Sequence, residues 1–282
     1  MIGINKIKNL YKIKFVKDTG FTFLSHIFIG ISGLLLNTII GRYYGVADLG
    51  IINQSLSFYM IFTVISNFGV QASSQKHASQ FIDKKDKLDK ILSSSILATI
   101  LISIPCVLSF QIILSYFPNI FPSYGVKNIL AILIFIIPVF SLNKTMNNFI
   151  SGLRKMILYS SVKALRWLLI ITGLLICIFL DFTVITFSYF FLVAELSVFL
   201  LLLFNSYKYL NITIDFKWIK THLIFGMKSW LAEIVDQFNT RIPIIIIGYI
   251  MGDVAAGYYS YIEVFAFSVL MISGAIQKNF NP

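Results

Sequence analysis

Charged side chains are scarce in this chain. Asp, Glu, Lys and Arg make up 12% of its 282 residues, about half the share of soluble globular domains, and a soluble fold is thereby excluded. Only two cysteines occur, Cys106 and Cys177. Each lies inside an apolar run and reads as a small buried residue, so no disulfide framework is expected. The three histidines, His26, His77 and His222, are far apart and show no metal-ligand spacing. No Walker phosphate loop is present, so the chain does not itself hydrolyse nucleotide. The connecting loops are short and gather no Ser/His/Asp or Cys/His set. An enzyme is not expected, and no cofactor is implied.

Apolar side chains fill the space that charge leaves. They form 57% of the sequence, with a mean hydropathy of +0.84. Apolar runs of about 20 residues recur along the whole chain, each long enough to cross a hydrocarbon layer about 30 Å thick. These features predict an all-α membrane protein with about eight transmembrane helices, near 19–41, 50–72, 90–116, 129–152, 160–180, 184–207, 226–250 and 254–277. The basic N-terminus and the apolar stretch from Phe21 look superficially like a signal peptide. The stretch is too long and lacks a small-residue cleavage site, so it reads as a retained first helix.

The 23 basic residues against 12 acidic ones suggest nucleic acid until their positions are read. Lys6, Lys8, Lys12, Lys14 and Lys17 precede the first helix; Lys76, Lys84, Lys85, Lys87 and Lys90 separate the second and third. Arg154, Lys155 and Lys163 follow the fourth, Lys208, Lys217, Lys220 and Lys228 follow the sixth, and Lys278 closes the chain. The alternate loops hold only Arg42 and Lys127. That asymmetry is a topology signal placing both ends in the cytoplasm, and no nucleic-acid partner is implied. Ile4, Ile7, Leu10 and Tyr11, and later Phe216, Ile219 and Leu223, recur at helical spacing among lysines, as interfacial helices do.

One pattern occurs twice. Gly41, Gly45 and Gly50 close one apolar run and open the next, and Gly248, Gly252 and Gly257 do the same 207 residues later. Six helices separate the copies, and an even number returns the chain to the same side. The copies therefore share orientation, as in parallel-repeat transporters. The expected organisation is a first six-helix repeat over 1–207, followed over 208–282 by an interfacial segment and the first two helices of a second, pseudo-twofold-related repeat. A complete second copy would need about 130 further residues, so the chain reads as truncated.

Residues 37–59, NTIIGRYYGVADLGIINQSLSFY, resemble the opening of Wzx-type polysaccharide (O-antigen) flippases. These belong to the superfamily that also holds multidrug extruders and lipid II flippases. Arg42, Gly45 and Gly50 match that family's arginine and glycines at the first hairpin, although Val46 stands where a proline is often found. Residues 244–265, IIIIGYIMGDVAAGYYSYIEVF, are similar to its seventh and eighth helices. The resemblance implies export of a polyprenyl-pyrophosphate-linked oligosaccharide across the bacterial inner membrane for surface polysaccharide or lipopolysaccharide synthesis. The implied partners are membrane lipids and polysaccharide polymerase machinery. The alternatives are a multidrug or lipid II exporter of the same superfamily, or an inactive fragment.

Ionisable groups inside the spans are costly and mark cavities or partners. They are Lys144, Arg166, Glu195, Glu233, Asp236, Arg241 and Glu263. Arg241 and Glu263 each lie 11 residues from Gly252, at equal depth on neighbouring helices, and are expected to face each other or a shared polar space. Lys144 shares a helix face with Asn147 and Asn148, which fits either a hydrophilic lumen or inter-helix hydrogen bonding. Arg166 is expected to snorkel to the membrane surface, and Glu195, with no evident partner, to be a protonated, hydrogen-bonded carboxyl. Glu233 and Asp236 are expected to admit cations or to pair with Arg166 or Lys228. Arg241, Lys144, Arg166 and Arg42 are the candidate substrate ligands, Arg42 reading first as an interfacial anchor. Glu263, Asp236 and Glu195 are the candidates for ion coupling.

Overall fold

The computed structural model describes the backbone of residues 2–210 and 215–280 and the side chains of residues 20–210 and 215–266. Ten α-helices and no strand occur among the described residues. They are α1 (Ile2–Tyr43), α2 (Val46–Asn67), α3 (Val70–Gln80), α4 (Lys85–Tyr116), α5 (Tyr124–Leu133), α6 (Ile137–Gly152), α7 (Met156–Phe179), α8 (Val184–Ser206), α9 (Phe216–Met251) and α10 (Asp253–Phe280). Among the described residues, six segments are long and apolar enough to cross a membrane: part of α1, then α2, α4, the α5–α6 pair, α7 and α8. In α9 the apolar stretch is interrupted by Glu233, Asp236 and Arg241. Its 36 residues nevertheless extend about 54 Å, and both α9 and α10 pack along α2.

Three boundaries differ from the sequence reading. The second helix ends at Asn67 because Phe68 and Gly69 both take left-handed conformations, with φ 48° and 71°. The chain then restarts as α3, so the expected loop over 73–89 is mostly helical. The fourth span is two helices, joined by a 3-10 turn at Ile134–Ile136 just before Pro138 opens α6. The segment expected to lie along the surface ahead of the seventh span is the first part of α9 itself, with Ile219 and His222 buried. The basic N-terminal segment is continuous in backbone with α1, and its side chains lie outside the described residues.

Polar side chains are buried alongside the apolar core, and the outer surface is largely apolar, unlike that of a water-soluble bundle. Gln54, Ser55, Asn67, Ser74, Ser95, Thr99, Ser141, Asn143 and Thr145 are all fully buried, while Leu24, Leu108, Leu200 and Phe204 are among the most exposed side chains. Lipid is as apolar as leucine, so burying leucine gains little in a bilayer. Helices associate there through small side chains and interhelical hydrogen bonds, here including Thr99 Oγ1 to Thr145 Oγ1 at 3.0 Å.

The two glycine hairpins meet face to face. Gly45, at the turn into α2, has φ 98° and ψ 168°, and Gly252, its counterpart at the turn into α10, has φ 86° and ψ 176°. A side chain is disfavoured at such positive φ. Where α2 crosses α10, a Cβ on Gly50 would strike the Asp253 carbonyl oxygen and one on Gly257 would strike the Val46 carbonyl oxygen. These two contacts interchange when 207 is added to one partner and subtracted from the other. Asn53 and Ser260, themselves 207 apart, hydrogen-bond to each other at 3.1 Å. Reciprocal contacts with a self-related pair at their centre define a local twofold axis.

Candidate functional site

The local twofold positions a cavity of about 270 Å³. Asn37 and Gly33 of α1, Asn53 and Ser57 of α2, Trp167 of α7, Arg241 of α9, and Ser260 and Glu263 of α10 line it. Asn53 is the hub of its polar wall, with Nδ2 donating to Asn37 Oδ1 at 2.7 Å and reaching Ser260 Oγ. Arg241 and Glu263 thus line one cavity, about 16 Å from the Gly252 turn. They do not join as an ion pair: the ion pairs among the described residues are Lys90–Asp215, Lys144–Glu233 and Arg166–Glu195. Arg241 Nε is buried and has no hydrogen-bond partner. A guanidinium nitrogen facing a cavity with its donor unused can take an anionic group.

The other embedded charges find partners that the sequence did not disclose. Arg166 does not snorkel. Its Nε lies 2.6 Å from Glu195 Oε1, Nη2 donates to Oε2 at 3.1 Å, and the guanidinium carbon sits 5.0 Å from the Phe140 ring centroid. Glu195 is therefore an ion-paired carboxylate and not an isolated acid, and it also accepts from Asn143 Nδ2 at 2.8 Å. The cause is again depth. Arg166 and Glu195 lie 14 residues before Leu180 and 12 after Thr183, the two ends of one tight turn. Glu233 pairs with Lys144 of α6, not with Arg166 or Lys228, and accepts from Gln71 Nε2 at 2.6 Å. Asn147 is buried and Asn148 bonds back to the Lys144 carbonyl, so the asparagines of that stripe serve helix packing. Arg42 is exposed in the last turn of α1, away from the cavity, and Asp236 is exposed on α9.

At the lysine-rich end, outside the spans, His222 is fully buried between α3 and α4. Its Nδ1 lies 2.9 Å from Ser73 Oγ and its Nε2 lies 3.1 Å from the Ile91 carbonyl. The carbonyl can only accept, so Nε2 carries the proton and Nδ1 accepts from the serine. Desolvation, with His77 nearby, pushes the His222 pKa down to about 4. Sequence reading found no role for this histidine, since a lone histidine among lysines gives no sign of burial.

Membrane-length helices that enclose a cavity reached by Arg241 and Glu263 form a fold that solved transporters share. A MATE multidrug transporter, DinF-BH, superposes with a TM-score of 0.79 at 12% identity, over 93% of this chain and 62% of that one. A multidrug resistance MATE family transporter of the MOP superfamily, in its outward-facing conformation, gives 0.64 at 16% identity, over 92% and 64%. A MOP superfamily transporter from Pyrococcus furiosus, described as having a binding pocket of reverse polarity, gives 0.60 at 17% identity, over 91% and 68%. The fold is therefore shared with these transporters. The chain belongs to the family of polysaccharide biosynthesis proteins, which it matches over residues 15–277. No curated protein matches it by sequence. The chain spans a little over three fifths of the length of the first two of these transporters.

Proposed function

We propose that this protein is a flippase moving a polyprenyl-pyrophosphate-linked oligosaccharide from the cytoplasmic to the periplasmic leaflet of a bacterial inner membrane. The observation that carries the reading is Arg241, a half-buried cation with no ion-pair contact among the described residues, lining a cavity in which Asn37, Asn53, Ser57, Ser260 and Glu263 interrupt a largely apolar wall. Sugars and pyrophosphate cannot cross hydrocarbon unaided, because desolvating unpaired charge is prohibitive. A fixed cation among hydrogen-bonding groups supplies the missing partner at mid-depth, and rocking of repeat-related units about the local twofold would expose it to each side in turn. Membership of the polysaccharide biosynthesis family supports a glycan-linked substrate. Glu263, across the cavity from Arg241, is the first candidate for ion coupling and Asp236 the second. Glu195 is held by Arg166, and that pair serves the fold.

The test is flipping of a fluorescent polyprenyl-pyrophosphate oligosaccharide by the intact protein in proteoliposomes. A charge-assisted hydrogen bond contributes about 1.5–3 kcal/mol, so Arg241→Ala is expected to weaken substrate binding roughly 10- to 150-fold. Unchanged affinity and flipping in Arg241→Ala would overturn the assignment. Export of organic cations with no flipping of the lipid would replace it with a drug-exporter reading, for which Glu263 is the matching charge.

A further inference from the structure

The three embedded cations are held in three different ways. Arg166 is locked to a carboxylate whose side chain is only 5% exposed, within the first eight helices. Arg241 lines the cavity with no ion-pair contact among the described residues. Lys144 is paired to Glu233 across the boundary between the first repeat and α9, and both side chains keep about a quarter of their surface accessible, 24% and 25%. The two oxygens of Glu233 are taken by two donors from the first repeat: Lys144 Nζ of α6 holds Oε1, and Gln71 Nε2 of α3 holds Oε2. An ammonium and an amide aimed at adjacent oxygens of one anion form an oxyanion cradle, and a side chain of the opposing helix fills it. Beside it, α9 meets the preceding helices through neutral contacts, Trp230 Nε1 donating to the Val64 carbonyl at 3.1 Å and the backbones meeting at Gly69 and Gly226, and nearer its start through His222.

We infer that Lys144 and Gln71 form a second binding site, for a phosphate or pyrophosphate oxyanion, and that Glu233 is its built-in competitor. The incoming anion and Glu233 exclude one another, so filling the cradle and freeing α9 from α3 and α6 are one event. Electrostatics favours exchange over simple opening. Withdrawing Glu233 alone leaves a partly buried ammonium unpaired, which is costly. Replacing its carboxylate by a phosphoryl group keeps both donors satisfied with charge-assisted bonds. This inference rests on the flippase reading only for which oxyanion arrives.

The experiment measures binding of inorganic pyrophosphate and of farnesyl pyrophosphate to the intact protein in nanodiscs by calorimetry. If Glu233 fills the cradle in 90–99% of molecules, Glu233→Gln tightens binding roughly 10- to 100-fold. The gain should vanish in the Glu233→Gln/Lys144→Met double variant. Asp83→Asn, which removes an equal charge from an exposed loop, should change affinity less than about twofold. A gain for both probes supports a cradle that reads the oxyanion alone, and a gain for farnesyl pyrophosphate only supports one that reads a lipid headgroup. No gain for either probe, or a gain that survives loss of Lys144, overturns the inference. Should Glu233→Gln fail to fold, Phe68→Cys and Trp230→Cys in the otherwise unaltered protein, whose native rings lie 5.1 Å apart, report the same event. Saturating pyrophosphate should lower their cross-linking by a short bis-maleimide, and undiminished cross-linking contradicts exchange. Tighter pyrophosphate binding without oligosaccharide flipping would keep the cradle and refute the flippase. Flipping without tighter binding would do the opposite.

Discussion

Arg166→Met separates two physical states of Glu195 that a sequence cannot distinguish. In the structure the glutamate side chain is 5% exposed and its charge is balanced by a guanidinium touching both carboxylate oxygens. Removing the arginine leaves a buried carboxylate whose remaining side-chain partner is Asn143 Nδ2. Breaking a buried pair from one side costs about 3–5 kcal/mol, which for a chain of this size corresponds to a fall of roughly 5–8 °C in apparent Tm. The double variant Arg166→Met/Glu195→Gln removes both charges and keeps the amide able to bond Asn143. Replacing both partners of a buried pair is often nearly neutral, so it should recover most of the loss. The assay is the fraction of detergent-solubilised protein that stays monodisperse after heating. A neutral, protonated Glu195 would give a different pattern, with Arg166→Met costing under about 1 kcal/mol and the double variant no better than the single. That pattern would refute the ion pair.

Two further perturbations test the packing. Gly257→Val should prevent stable folding, because the added side chain meets the Val46 backbone, and Gly50→Val should do the same against Asp253. Normal yield and thermal stability of either variant would contradict the close crossing. His222 makes stability depend on pH. Its folded pKa of about 4 lies below its ordinary value of 6.5, so the unfolded chain binds the extra proton. Stability is therefore full above about pH 6.5, and falls between there and pH 4 by up to about 1.4 kcal/mol per unit. The histidine's part of that slope should disappear in His222→Gln, and a slope identical in the two proteins would show that the ring is not buried neutral.

Much of the fold was legible because the bilayer imposes long apolar runs. The glycine copies showed where the two hairpins lie, and their 207-residue offset also links Asn53 to Ser260, so part of the cavity wall was encoded in the repeat. Depth counting brought Arg241 and Glu263 to one cavity, and the same count across the Leu180–Thr183 turn would have paired Arg166 with Glu195. Lys144 and Glu233 were beyond that method. They are 89 residues apart, on helices that share no turn, and only three-dimensional packing brings them together. The break at Phe68–Gly69 was hidden for a different reason. One glycine in a helical pattern is tolerated, and nothing local announces that the phenylalanine beside it also turns left-handed.

The most direct measurement of the central claim, an aqueous cavity within an apolar shell, is cysteine reactivity toward a charged thiol reagent. With Cys106 and Cys177 replaced, single cysteines would be placed at Met60, a half-buried cavity residue, and at Leu108 and Leu200, which are 61% and 65% exposed on the outer surface. The account expects an inversion of geometric exposure, with Met60→Cys modified in intact membranes and both leucine positions unreactive, because water reaches the hollow and lipid covers the outside. Rapid modification at Leu108 and Leu200 with none at Met60 would contradict it.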